Sequence, residues 1–280
     1  MKKRSLGGVA AKRNDYPWIV SLITSISSTD FLPHTVSLQC DIDRQAIACK
    51  EMSAVIEFIA QYQDAQHDLY KPLDEAKVVM YVGGHCRFPS KCSYESASYR
   101  IVNMEIHPNY DSCNLYRDIA IAEISENVHS DGVPICMPDV DEEIPSHLVA
   151  VGYGFNPNDK YRRLLHAVDL AFYKLDSYHD QLHTLTSGKS ICRGDSGGPL
   201  IKTNGTRYTL IGITSSNGQT CEGPEVPQGY LYVVFLTIGR LNTFEDVRKY
   251  LDWICEITGV CPSPSSVSNA TYEIESSEVE

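Results

Sequence analysis

No stretch of this sequence is apolar for long enough to cross a bilayer as a helix: even YLYVVFLTIG, at 230–239, is ten residues where about twenty are needed. The basic start MKKRSLGG is not followed by an apolar segment, so no secretory leader is recognisable there. Lys and Arg form no long block, and the formal charge is -12. That leaves no footprint for a phosphate backbone, so nucleic acid is not expected as a partner, whereas cationic partners are steered well. The ten cysteines, at 40, 49, 86, 92, 113, 136, 192, 221, 255 and 261, lack Cys-X-X-Cys spacing, which sets aside zinc ribbons and redox dithiols. The histidines fall into no metal-binding set, and neither metal nor other cofactor is expected.

What is present points to a globular, exported protein. The 280 residues are 42% hydrophobic, enough for a sizeable core in one large all-β domain or two smaller ones. So many cysteines fit an oxidising compartment, and the sequons Asn204-Gly205-Thr206 and Asn269-Ala270-Thr271 point the same way. The expectation is an extracellular protein, in tension with the missing leader.

From about residue 78 to 240, short β-branched and aromatic runs alternate with turn residues: VVMYVGG, YRIVNMEIH, DIAIAEI, LVAVGYG, TLIGITSS and YLYVVFL. That is the pattern of an antiparallel barrel or sandwich. The spacing changes in LNTFEDVRKYLDWICEI (241–257), where Phe244, Val247, Leu251 and Ile254 fall on one helical face with Thr243 as the N-cap. Residues 41–76 also have helical composition, with Ala54, Ile56, Ile59 and Ala60 among their apolar positions, and suggest a helix-like insert in a β chain. Residues 262–280, rich in Ser, Pro and Glu, read as a disordered acidic tail.

The densest chemistry lies in ICRGDSGGPL (191–200). A hydroxyl becomes a nucleophile when a neighbouring base takes its proton, and the oxyanion formed on acyl attack needs N–H donors already aimed at it. Gly194 and Gly197 around Ser196 permit a tight turn on which the N–H groups of Gly194 and Ser196 converge. Asp195 beside them calls for a buried cation.

The GDSGGP run at 194–199 resembles the signature of the chymotrypsin/trypsin family of serine proteases, and other landmarks follow in that family's order. SLGGVAAKRNDYPW (5–18) looks like the mature N-terminus, IHPNY (106–110) a first-barrel strand end and DIAIAEI (118–124) the strand of the catalytic Asp. VGYG (151–154) resembles the start of the second barrel, with Tyr153 where the family usually has Trp, and GITSSNGQTC (212–221) the substrate-binding strand. The resemblance implies an all-β fold of two antiparallel Greek-key barrels with a C-terminal helix. It places the protease domain at 5–258, with residues 1–4 as residual propeptide and 41–76 as an atypical segment.

The resemblance also assigns roles. Ser196 would be the nucleophile, Asp118 the triad carboxylate with Ser215 hydrogen-bonded to it, and the N–H groups of Gly194 and Ser196 the oxyanion hole. Cleavage after Arg4 would free the α-amine of Ser5 to pair with Asp195, although Ser5-Leu6 replaces the family's bulkier aliphatic pair. Cys192 and Cys221 would form the disulfide that fixes the specificity pocket, closing a loop of about thirty residues for roughly 3–4 kcal/mol, and Cys86 with Cys92 a local one. Ser190, Ser215, Asn217 and Gly229 would line the substrate site. With no carboxylate at the base of that pocket, a neutral or apolar residue before the scissile bond is expected.

The family's catalytic histidine lies in a TAAHC-like segment, which this chain lacks. His85, in YVGGHC, imitates it but falls in a later loop of the first barrel. Counting back leads to His67, in QDAQHDL, where Asp68 replaces the usual cysteine. His67 reads either as the base or as a solvated histidine at a helix end, and His34 is a weaker candidate. The histidines at 107, 129, 147, 166, 179 and 183 read as surface or packing residues. Two functions follow: a monomeric serine endopeptidase acting on protein or peptide substrates and open to protein inhibitors, or a catalytically inactive homologue that binds proteins without cutting them. Neither involves membrane or nucleic acid.

Overall fold

The computed structural model of the chain describes residues 8–12, 14–24, 34–38, 53–56, 62–63, 70–71, 78–84, 98–111, 114–128, 132–156, 164–192, 194–205, 207–217 and 240–262. Its elements begin with a two-residue strand β1 (Val9–Ala10), followed by β2 (Ile19–Thr24), β3 (His34–Leu38) and β4 (Ser53–Ile56). Two short strands, β5 (Tyr62–Gln63) and β6 (Tyr70–Lys71), pair only with each other. After them come β7 (Val78–Val82), β8 (Ser98–Ile106) and β9 (Ala120–Ile124). The antiparallel strands β2-β3-β4-β9-β8-β7 close into a barrel. Its interior follows from alternation: in β7 the buried residues are Val78, Met80 and Val82, while Val79 and Tyr81 between them are only half-buried.

The second half of the chain supplies β10 (His147–Gly152), β11 (His166–Asp176), β12 (Gln181–Thr186), β13 (Pro199–Thr203), β14 (Tyr208–Asn217) and β15 (Arg240–Asp246). They form a sheet in the order β1-β11-β10-β13-β14-β15-β12, and β11 also pairs with β12, so the sheet curls back on itself as a second barrel. Leu148, Leu170, Leu182, Leu200, Ile211 and Phe244 fill it. A separate core cluster joins the two barrels: Trp18 and Val20 from the first share it with Val151, Tyr153 and Leu210 from the second. The buried Tyr153 hydroxyl donates to the carbonyl of Gly84, at the end of β7, and ties the halves together. The structure is therefore mostly β with two barrel-like sheets and a C-terminal helix, the architecture the resemblance implied.

Two sequence expectations fail locally. Residues 53–56 are extended rather than helical, as are 62–63 and 70–71. Ser53–Ile56 pairs with β3 on one side and β9 on the other, and without it the first barrel would have an open edge. Pairing on both sides overrides the local composition. The helix expected over 241–257 starts ten residues late. Residues Arg240–Asp246 are a strand held between β12 and β14, and Thr243 lies within it rather than capping a helix. A single 3-10 turn at Val247–Lys249, capped by the Asp246 side chain, leads into α1 (Leu251–Thr258), which Gly259 ends at φ 76°. Cys255 and Cys261, a pair the sequence did not single out, form a disulfide just past that end.

Candidate active site

Asp118 stands at the entrance to β9, in the crevice between the barrels, and is 1% exposed. Its Oδ2 accepts from Ser215 Oγ at 2.9 Å, a bond between the first barrel and β14 of the second. The turn before it is unusual: Leu115 and Arg117 both have left-handed backbones, at φ 55° and 54°. Side-chain residues adopt that region only when their surroundings compel it.

The same strand that supplies Ser215 organises the loop carrying Ser196. Thr214 accepts from the N–H of Gly197 at 2.9 Å and donates its own to the carbonyl of Gly198 at 2.8 Å. Within the loop, the N–H of Asp195 reaches the carbonyl of Cys192 and that of Gly198 reaches the carbonyl of Asp195, each at 2.9 Å. Gly194 and Gly197 have φ of 94° and 77°, values open to glycine at little cost, so the sequence Gly-Asp-Ser-Gly is what lets the chain turn so tightly. Ser196 sits half-buried at the turn. Two adjacent residues of β14 thus connect the Ser196 loop with Asp118.

The carboxylate of Asp195 is held in a cradle of backbone. Gly154 N–H donates to Oδ1 and Cys192 N–H to Oδ2, both at 2.7 Å. The fit depends on glycine: a Cβ on Gly152 would stand 2.1 Å from Asp195 Oδ1, and one on Gly154 2.3 Å from its Cγ. Asp195, Gly152, Gly154 and His166 line a cavity whose wall also includes Gly8. Gly8 precedes β1, which is fastened to the second barrel by pairing with Ala167 and His166.

Ser190 and Ile191, just ahead of this loop, are buried and meet a residue the sequence did not single out, Asn242 of β15. Asn242 is fully buried; its Oδ1 lies 2.6 Å from Ser190 Oγ and accepts from the N–H of Ile191 at 3.2 Å, while its Nδ2 donates to Thr184 Oγ1 at 3.1 Å. A polar residue inside the strand RLNTFED was the available signal, and the helical reading of that stretch hid it. Asn217 pairs with Asn242 in the register of β14 with β15, close to the same place.

Cys192 is disulfide-bonded. Ser5, His67, His85, Cys86, Cys92, Cys221 and Gly229 lie outside the described residues, as do the tail from 263 onward and His129; the His34 side chain is not described either. Of the remaining histidines, His107 packs edge-on against Tyr250 and Trp253, and His179 stacks on Tyr116 and pairs with Asp176. His183 faces Thr243, and burial holds its ring below the usual histidine range. Among the described residues, no group of three or more His, Cys, Asp or Glu is arranged to hold a metal ion.

Comparison with known proteins agrees with this geometry. A family model described as Trypsin matches residues 71–237. Among curated relatives, serine protease filzig of Drosophila melanogaster is 27% identical over 190 residues, which is 60% of this chain and 10% of that protein. Mannan-binding lectin serine protease 1 of Homo sapiens is 23% identical over 211 residues, 69% of this chain and 27% of that protein. The chain thus spans a small part of the length of the relatives it matches.

Proposed function

The chain belongs to the trypsin family of serine proteases, and from that premise we propose that it is an endopeptidase that hydrolyses peptide bonds through an acyl-enzyme on Ser196. Ser196 Oγ attacks the scissile carbonyl as an imidazole takes its proton; the tetrahedral oxyanion is received by the N–H groups of Gly194 and Ser196; the imidazolium returns the proton to the leaving amine. Water repeats the sequence to release the acyl group. Asp118 orients the base and stabilises its charged form, and Ser215 fixes Asp118 Oδ2 by its hydrogen bond. His67 is the proposed base.

The observation that carries this reading is the two-residue link in β14, by which Thr214 shapes the Ser196 loop and Ser215 holds Asp118. Preorganised donors and an oriented base are the largest contributions to acyl transfer, and both depend on that link. The cradle around Asp195 supports activation by cleavage after Arg4, with the new amine at Ser5 entering the cavity that Gly8 borders. The neutral pair Ser190–Asn242 supports preference for a neutral or apolar residue before the scissile bond, since no buried carboxylate among them would offset a Lys or Arg.

Disulfides at Cys192 and Cys255–Cys261 support an extracellular setting for a protease domain at 5–258 followed by an acidic tail. Among the described residues, no helix is long and apolar enough to cross a membrane. A second reading, an inactive homologue that binds proteins, rests on the missing TAAHC-like segment and on Asp68 beside His67. Hydrolysis of a peptide amide with a neutral residue at the scissile position separates the two. Activity in the chain cleaved after Arg4, lowered about 10⁴-fold by Asp118→Asn as in this family's reference triad, supports the enzyme; a cleaved, folded chain with no turnover supports the binding protein.

A further inference from the structure

Glu245 has no place in the chemistry above, yet it is buried without any exposure beneath Asp118. In β15 it stands opposite Gln181 of β12 and Ile213 of β14, a position where a carboxyl group is stable only if its oxygens are satisfied. Three donors converge on it. Gln181 Nε2 donates at 2.9 Å, the Tyr250 hydroxyl at 2.5 Å, and the backbone N–H of Asp118 completes the set.

The contacts extend through the strained turn. Gln181 Nε2 also donates to the carbonyl of Leu115 at 3.0 Å, so the Glu245–Gln181 pair grips both ends of residues 115–118, the stretch in which Leu115 and Arg117 take left-handed backbones. Arg117 pairs with Asp180 at 3.7 Å on the outer side of this turn, and His107 packs on the ring of Tyr250. The ionisable groups around Glu245 are therefore Asp118, Tyr250, the Arg117–Asp180 pair and His107.

We propose that Glu245 is a positioning residue for Asp118: by accepting its backbone N–H and, with Gln181, clamping the strained turn ahead of it, Glu245 fixes the direction in which the Asp118 carboxylate reaches Ser215. The inference rests on the reading of Asp118 as the triad carboxylate for its functional meaning. The clamp works best when Glu245 is ionised, because a carboxylate accepts from all three donors at full strength and a protonated carboxyl gives up part of that capacity. Burial, with a smaller contribution from the negative Asp118, pushes the Glu245 carboxyl up to about 7, so the clamp tightens as pH rises through neutrality.

The test follows the Asp118 amide proton by NMR in the isotopically labelled full chain between pH 5 and 9, in wild type and in Glu245→Gln. The proposal expects the wild-type resonance to carry a transition with a midpoint near 7 that the variant lacks, leaving in the variant only the shift caused by the imidazole beside Asp118. A wild-type amide that does not move over this range, or that moves equally in the variant, overturns it. In parallel, Glu245→Gln lowers kcat about 10- to 100-fold, leaves KM within about twofold and removes an ionisation near neutrality from the kcat profile. Wild-type kcat and profile in the variant also overturn the positioning role. An amide that titrates in a wild-type chain without peptidase activity upholds the contact with Asp118 and refutes the enzyme reading instead, so the two failures are distinct.

Discussion

Ser215 and Asp118 are 97 positions apart in the chain and 2.9 Å apart in space, joined by a buried hydrogen bond from hydroxyl to carboxylate. The bond crosses from one barrel to the other. Removing it with Ser215→Ala leaves Asp118 Oδ2 without that donor in a site closed to solvent, which costs about 1–3 kcal/mol. The expected result is a lower urea midpoint together with a fall in kcat of about tenfold, read by denaturation and steady-state kinetics on the same preparation.

The glycine cradle gives a sharper prediction. Gly152→Ala places a methyl group within 2.1 Å of Asp195 Oδ1, and that oxygen is anchored by the N–H of Gly154, so the carboxylate must leave. The Ser196 loop then loses its internal support. Peptide turnover should fall by about 10²-fold or more, comparable to loss of an oxyanion donor, while the far-UV signature of the two β-sheets is kept.

A buried carboxyl whose protonation midpoint is raised by folding opposes stability as it ionises. Glu245 moves from an ordinary 4.5 to about 7. Its contribution to stability is full below pH 4.5 and is lost as pH rises through 7, on the order of 3 kcal/mol across the window at about 1.4 kcal/mol per pH unit. Glu245→Gln should therefore gain thermal stability relative to wild type between pH 5 and 8. A gap between their melting temperatures that stays constant over this range would contradict the assignment.

On the proposed reading Ser190 and Asn242 form a neutral pocket floor, which Ser190→Asp makes acidic. Turning Asn242 Nδ2 toward the new carboxylate takes Oδ1 away from the N–H of Ile191, so the variant is expected to fold with lower stability than the wild type. Profiling with a peptide library should show a neutral preference in the wild type and a shift toward Lys or Arg of at least about tenfold in the variant. Equal preference for basic residues before and after the change would remove Ser190 from the pocket.

Much of this architecture was legible before any coordinates, for physical reasons. Runs such as VVMYVGG and DIAIAEI are short, β-branched and set off by turn residues, as barrel strands are, and the glycines around Ser196 mark backbone that only glycine adopts cheaply. What misled was composition without partners. Ser53–Ile56 is a strand because β3 and β9 flank it, and neither neighbour is close in sequence. The spacing of Phe244, Val247, Leu251 and Ile254 imitates one helical face, yet Phe244 ends up in the barrel core and the helix begins at Leu251. The same misreading concealed Asn242 and Glu245. Their importance depends on what β15 lies against, Ser190 and the turn before Asp118.

The central claim is that Ser196 is an activated nucleophile. It is tested most directly by treating the full chain, cleaved after Arg4, with a fluorophosphonate and locating the adduct by mass spectrometry. The account predicts one phosphonylated residue, Ser196, with labelling abolished by Ser196→Ala and slowed by both Asp118→Asn and His67→Ala. A folded, cleaved chain that takes up no label, or takes it up elsewhere, would contradict it.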